Sequence, residues 1–393
     1  MKLSNNIASV SLGILLVLLA LLCAPSWTFA STDQLEAVHE AAEKLFRFCI
    51  DPGKTSLDER TLDVLADYVM GAKQTKEHAV PSLRDGTGAY FEFDTKITFP
   101  RFVEYSYSSL VPPVITRPSS LRYSIWTTPR GALKLPATWK RIPSGGSPVV
   151  VHGLEQESDT PDLNTHVYHE YDLKRTLILF NYKGHQAMLS ISKQTGKSNV
   201  GKKGTILGND NDWNYYYSGE PGTMTTGLGW VKSYIYDFCS IGIYVETGAN
   251  SSMVRSGVFQ WLRAGWSGIN FVKSGHILAG LRRFSRDSRG SLESPRMPSP
   301  TQIASFYQSL SNMPPGELTE RYTALQQAQR ASAIQHGRIS KSEGKERSFA
   351  DVPKEQVLQE LLLEYLKISL GKPALLGKQF LFPPAHVAPE ETR

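Results

Sequence analysis

Over Asp33 to Cys49 the apolar residues Leu35, Val38, Ala42, Leu45, Phe46 and Cys49 recur at three-to-four spacing, and Asp51-Pro52-Gly53 ends the pattern. This spacing predicts an amphipathic helix. A second helix is expected after Ser56, a natural cap, with Leu57, Leu62, Leu65, Tyr68 and Val69 inside and Gly71 near its end. After Asp85-Gly86 the period becomes two. Phe91, Phe93, Ile97 and Phe99 alternate with Glu92, Asp94, Lys96 and Thr98, which predicts a strand with one dry face.

Further strands are expected at Leu121 to Thr127, Pro148 to His152 and Arg175 to Tyr182, the last returning through Lys183-Gly184 into Gln186 to Ser192. Pro-rich stretches at Val111 to Pro118 and Pro129 to Pro148 read as loops. From Trp230 to Glu246 alternation sorts an aliphatic set around Ile235, Cys239, Ile241, Ile243 and Val245 from an aromatic set. The aliphatic face reads as core. The other face carries Trp230, Tyr234, Tyr236, Phe238 and Tyr244, and such a face suits a cavity lining.

Ser256 to Phe284 shows Val258, Trp261, Leu262, Ile269, Ile277, Leu281 and Phe284 at near-helical spacing, with breaks expected near Gly265 to Gly275. Ser285 to Pro300 turns to Ser, Arg and Pro and reads as a linker. Helices are expected at Thr301 to Ala331, interrupted at Pro314-Pro315, and at Val352 to Leu370. The tail over 383–393 reads as disordered.

The first thirty residues change the picture from fold to address. Lys2, an apolar run from Leu12 to Cys23 and a small-residue end at Thr28-Phe29-Ala30 have the order of a cleavable export signal. The expected destination is the periplasm or the exterior. Behind it the domain plan is an α+β domain over 31–284, a linker over 285–300 and a helical extension over 301–382. Cys49 and Cys239 are then the two cysteines of the mature chain, and in an oxidising compartment a disulfide between them is one expectation and two unconnected buried thiols the other.

Net charge is +6. The excess is local, because eight basic residues between Arg255 and Arg296 face only Asp287 and Glu293. Arg255, Arg263, Lys273, Arg282, Arg283 and Arg286, mixed with Trp261, Trp266 and Phe271, make a candidate membrane or anion patch. Nucleic acid does not fit an exported chain with an otherwise near-neutral body.

Motifs for chemistry are weak. Gly196 to Lys202 has the spacing of a phosphate loop, but Lys203 stands where a magnesium-binding hydroxyl belongs. The Asx-rich run from Asn209 to Asn214 has Tyr215 where a calcium loop turns on Gly. His166 and His169 would point to opposite faces of an extended segment, so no metal and no cofactor are expected. Asp237, flanked by Ile235 and Cys239, is a candidate buried carboxylate.

The sequence therefore implies an α+β fold: N-terminal helices, an antiparallel sheet, a helical segment packed across it and a C-terminal helical extension. In layout this order is similar to helix-grip lipid-binding folds, whose sheet and last helix enclose an apolar cavity; no residue motif carries the likeness. The leading expectation is an exported, non-catalytic binding protein whose aromatic face holds a small apolar or amphipathic ligand. One alternative is a hydrolase using Asp237 or the strand histidines His152, His166 and His185. Another is an assembly protein that docks a partner through Leu358, Leu361, Leu362, Tyr365 and Leu366.

Overall fold

The computed structural model describes residues 32–73, 75–128, 145–225, 229–340 and 352–381. The expected export signal, the tail over 383–393 and most of the Pro129 to Pro148 loop lie outside the described residues. The helices are α1 (Thr32–Ile50), α2 (Arg60–Met70), α3 (Phe99–Tyr107), α4 (Ser274–Leu292), α5 (Pro300–Ser311), α6 (Pro315–Gln335) and α7 (Lys354–Leu370). The strands are β1 (Glu77–Leu83), β2 (Gly86–Thr95), β3 (Leu121–Thr128), β4 (Val149–Asp159), β5 (Val167–Tyr168), β6 (Glu170–Tyr182) and β7 (His185–Gln194). They continue with β8 (Lys202–Ile206), β9 (Tyr215–Pro221), β10 (Thr223–Thr225), β11 (Gly229–Val231), β12 (Tyr234–Thr247) and β13 (Met253–Gly265).

Eight strands form one antiparallel sheet in the order β1-β2-β13-β12-β7-β6-β4-β3, which with the helices makes the expected α+β fold. Helices α1 and α2 cover one face. Their Val38, Leu45, Phe46, Leu65 and Val69 pack on Ile178, Leu189, Ile241, Ile243 and Phe259. The aliphatic set of β12 thus lies where alternation puts it. On the other face, α4 packs over Ala89 and Val258, while α3, α5, α6 and α7 pack around Leu179, Met188, Tyr244 and Val254. The β6–β7 hairpin turns at Lys183 and Gly184, both at positive φ, as the Lys-Gly pair predicts.

Several expectations are corrected. Residues 253–265 are a strand, not a helix, because both faces of β13 are covered: Trp261 packs under α1 and Val258 under α4. Two apolar faces erase the period-two signal. The same holds at β2, where Glu92 lies buried between the expected dry positions and Phe99 already belongs to α3. The aromatic run is not one strand, since Trp230 sits in β11 and β12 begins at Tyr234 with a bulge between Ile235 and Asp237. Residues 285–292 continue α4, and Ser285, Asp287, Ser288 and Ser291 on them are buried. The C-terminal helices are part of the core. Leu358, Leu361, Leu362 and Leu366 are buried and Tyr365 stacks on Phe306, so these side chains are not free for an outside partner.

Candidate functional site

The residues nominated from sequence lie in different places. Tyr244 is buried beneath α3, against the Phe102 ring at 4.8 Å, and its hydroxyl accepts from Tyr107 at 3.0 Å. Tyr234 and Tyr236 stand at the opposite end of β12, half-buried, with Lys197 over one ring at 4.0 Å and Arg263 over the other at 5.4 Å. Phe238 lies between them and Tyr244, against Tyr171, while Trp230 is exposed. They do not line one cavity.

Asp237 is not an isolated carboxylate, because the Lys193 ammonium of the neighbouring strand donates to it. Cys49 and Cys239 are free thiols within one core, so the expected bridge is not formed here. Burial pushes the Cys239 thiol up to about 12. His152 contacts Thr176 and Phe48 under α1, His166 lies outside the strands at positive φ, and His185 is exposed at the β6–β7 turn. They do not converge. Among the described residues no group of three His, Cys, Asp or Glu is placed to hold a metal.

The basic segment is largely paired. Arg255 binds Asp94 and Arg282 binds Glu77, while Arg283 and Arg286 share Asp210, the first acid of the calcium-like run. Arg263 donates to the Gly268 carbonyl and Lys273 is exposed at the start of α4.

The concentration of buried charge lies elsewhere, on the sheet face beneath α3. Alternation along β4 directs Glu155 and Glu157 to this face, and the pairing of Glu155 with Leu173 brings Arg175 of β6 beside them. Arg175 Nε donates to Glu155 at 2.5 Å and Nη2 to Glu157 at 2.8 Å, while Nη1 reaches Ser190 and Ser192 at 3.2 and 2.7 Å. Each nitrogen of this guanidinium has a partner. Arg117, from the segment after α3, closes the cluster by donating to Glu157 at 2.9 Å.

Two arginines and two glutamates balance, yet the acids differ. Burial holds the Glu155 carboxyl above its ordinary value despite Arg175. Burial acts on Glu157 in the same direction, but Arg117 and Arg175 outweigh it and hold its carboxyl below the usual range. Ser124 of β3 donates to the free oxygen of Glu155.

Above this floor opens a cleft of about 70 Å³. Arg117, Ser124, Glu155 and Arg175 form its polar bottom; Tyr107, Val111, Pro113, Trp126 and Tyr307 form its walls; Ser106, Ser108 and Ser109 lie along its rim. Gly153 leaves room for the Trp126 wall, since a Cβ there would stand 2.5 Å from the indole. Gln359 of α7 also reaches the cleft, bonded to the backbone of Ser124. The arrangement offers a small hydrogen-bonding end and an aromatic-aliphatic wall. Glu155 binds Arg175 through one oxygen and the Ser124 hydroxyl through the other.

None of these cleft residues was nominated from sequence. Residues 155–159 are all polar and lie beyond the strand expected at Pro148 to His152, although Glu155 and Glu157 do carry the period of a strand.

No family model matches the chain, and no curated protein matches it. Among solved structures, the human StarD13 (DLC2) lipid transfer and protein localization domain aligns over 60% of this chain and 98% of its own, at 11% identity and a TM-score of 0.26. A superposition that loose supports no inference about this chain.

Proposed function

We propose that this chain is an exported binding protein, without chemistry of its own, that seats the polar end of a small amphipathic molecule in the cleft above Arg175. The observation that carries the reading is the cleft's division into a charge-balanced floor and an aromatic wall. Because the floor charges cancel, the favoured end group is uncharged and hydrogen-bonding, such as a hydroxyl. At about 70 Å³ the cleft takes that end and a short apolar stretch, and the remainder of a longer molecule would lie along Trp126 and Tyr307.

This reading keeps the ligand class expected from sequence and moves its site. Tyr244 retains a part by holding Tyr107, a wall residue. Calorimetric titration with 1-decanol and with decanoate tests the site. Wild type should bind decanol more tightly than decanoate, Trp126→Ala should weaken decanol binding about tenfold, and a Tyr234→Ala, Tyr236→Ala double variant should bind as wild type. Loss of binding in the tyrosine variant with retention in Trp126→Ala would return the site to the aromatic face of β12.

A further inference from the structure

One end of the sheet holds large apolar side chains out of the protein. Ile269, Trp230 and Phe271 are 55%, 49% and 41% exposed, although most apolar side chains of this size here are buried. They share an end because Tyr234, four residues after Trp230, pairs with Gly265, from which the loop over 266–273 leaves. No helix among the described residues is long and apolar enough to cross a membrane, so any contact with a bilayer would be at its surface.

The exposure is built in. Asn270 fastens the loop, its Oδ1 accepting from Ala264 and Val272 at 3.2 and 3.1 Å and its Nδ2 donating to Thr87 at 3.3 Å. Phe271 N donates to the Ala264 carbonyl at 3.0 Å, and Gly268 N donates to the Tyr236 hydroxyl at 2.7 Å. Trp266 stacks on Phe271 at 4.0 Å. On the facing side, Trp230 is tied by its indole N–H to the Pro221 carbonyl at 3.0 Å. Such a rigid loop presents aromatic and aliphatic surface to water at a cost that only a partner removes.

Cations flank these tips. Arg263 lies over Tyr236 and bonds Gly268, Lys197 lies over Tyr234, and Lys232 and Lys273 are exposed beside Trp230 and Phe271. Asp85 and Glu220 border the surface but are fewer. Indole and phenyl rings with basic neighbours suit the headgroup layer of a bilayer bearing anionic lipid.

We propose that Trp230 and the loop over 266–273 form a tip that docks the protein on anionic phospholipid surfaces. The basic surface expected from sequence is thereby narrowed to the end around Arg263 and Lys273, leaving out Arg255, Arg282, Arg283 and Arg286, which are paired with carboxylates. This tip is separate from the cleft, and its failure would leave the ligand reading untouched.

The test is hydrogen exchange on the full chain with vesicles of phosphatidylcholine alone or with about one third phosphatidylserine. Its readout is local, so other apolar segments of the chain do not enter it. Residues 229–232 and 266–273 should gain protection on the anionic vesicles and much less on neutral ones. Ile269→Ser with Phe271→Ser should lose that protection about tenfold in lipid concentration, with unchanged exchange in β12, and Lys232→Glu with Lys273→Glu should weaken it and remove its salt dependence. Absence of protection on both vesicles, or equal protection in the serine variant, would overturn the proposal, and the exposed tip would then belong to a protein partner.

Discussion

Gln359 completes the sheet edge at Ser124: its Oε1 accepts the Ser124 N–H at 3.0 Å and its Nε2 donates to the Ser124 carbonyl at 2.7 Å. A helix side chain thereby takes the place of a ninth strand at an edge that would otherwise stand open. Arg122, two residues earlier on β3, fixes the same helix through Glu360 at 2.8 Å.

Gln359→Leu keeps volume but leaves both backbone groups of Ser124 unpaired in a buried place. A loss of about 2 kcal/mol or more in urea unfolding is expected, since each stranded group costs about 1–3 kcal/mol. Gln359→Glu should cost more, because it would bury a carboxylate against the Ser124 carbonyl oxygen. Stability unchanged in the leucine variant would mean that α7 does not rest on this pair.

The two acids of the floor should respond oppositely to neutralisation. Glu155 has a folded-state value raised above its ordinary 4.5, so its ionisation opposes folding at neutral pH and the penalty fades as pH falls toward 4.5. Glu157 has a lowered value, so its contribution is present above 4.5 and lost as pH falls through the folded-state value. Glu155→Gln should therefore leave stability at pH 7 unchanged or higher, whereas Glu157→Gln should lose about 3 kcal/mol by leaving Arg117 and Arg175 under-compensated. Thermal melts of both variants between pH 4 and 8 would show it, and equal losses at pH 7 would contradict the assignment.

Gly153→Ala should displace the Trp126 indole, since the added methyl meets its ring and the Thr128 carbonyl. A loss of about 1–3 kcal/mol is expected from overpacking, with weakened decanol binding. Chemical denaturation and the titration described above measure the two effects.

The thiols should be silent in the folded protein. With Cys239 at about 12, its thiolate fraction at pH 8 is about one in ten thousand, and burial blocks reagent access. Native protein should show no rapid reaction with a thiol reagent, and unreduced protein in denaturant should show two thiols. No thiol in denaturant would reveal a bridge between Cys49 and Cys239.

What was legible in the sequence follows from where single-face patterns survive. Helices α1 and α2, the β6–β7 hairpin and the break between α5 and α6 at Pro314 each bury one side or carry a turn residue. Strand β13 did not show itself because both of its faces are covered. The cleft was hidden for a different reason. Arg117, Ser124, Glu155, Glu157 and Arg175 come from four segments, and each alone looks like an ordinary solvated residue. Their burial depends on pairing across 40 positions between Arg117 and Glu157 and 20 between Glu155 and Arg175, which local periodicity does not encode.

The cleft's occupancy is the most direct test of the account. Native mass spectrometry of the purified protein, wild type beside Trp126→Ala, should find a small uncharged amphipathic molecule retained by wild type and lost from the variant. A wild-type protein that carries no such mass and acquires none on incubation with decanol would contradict a binding role for the cleft above Arg175.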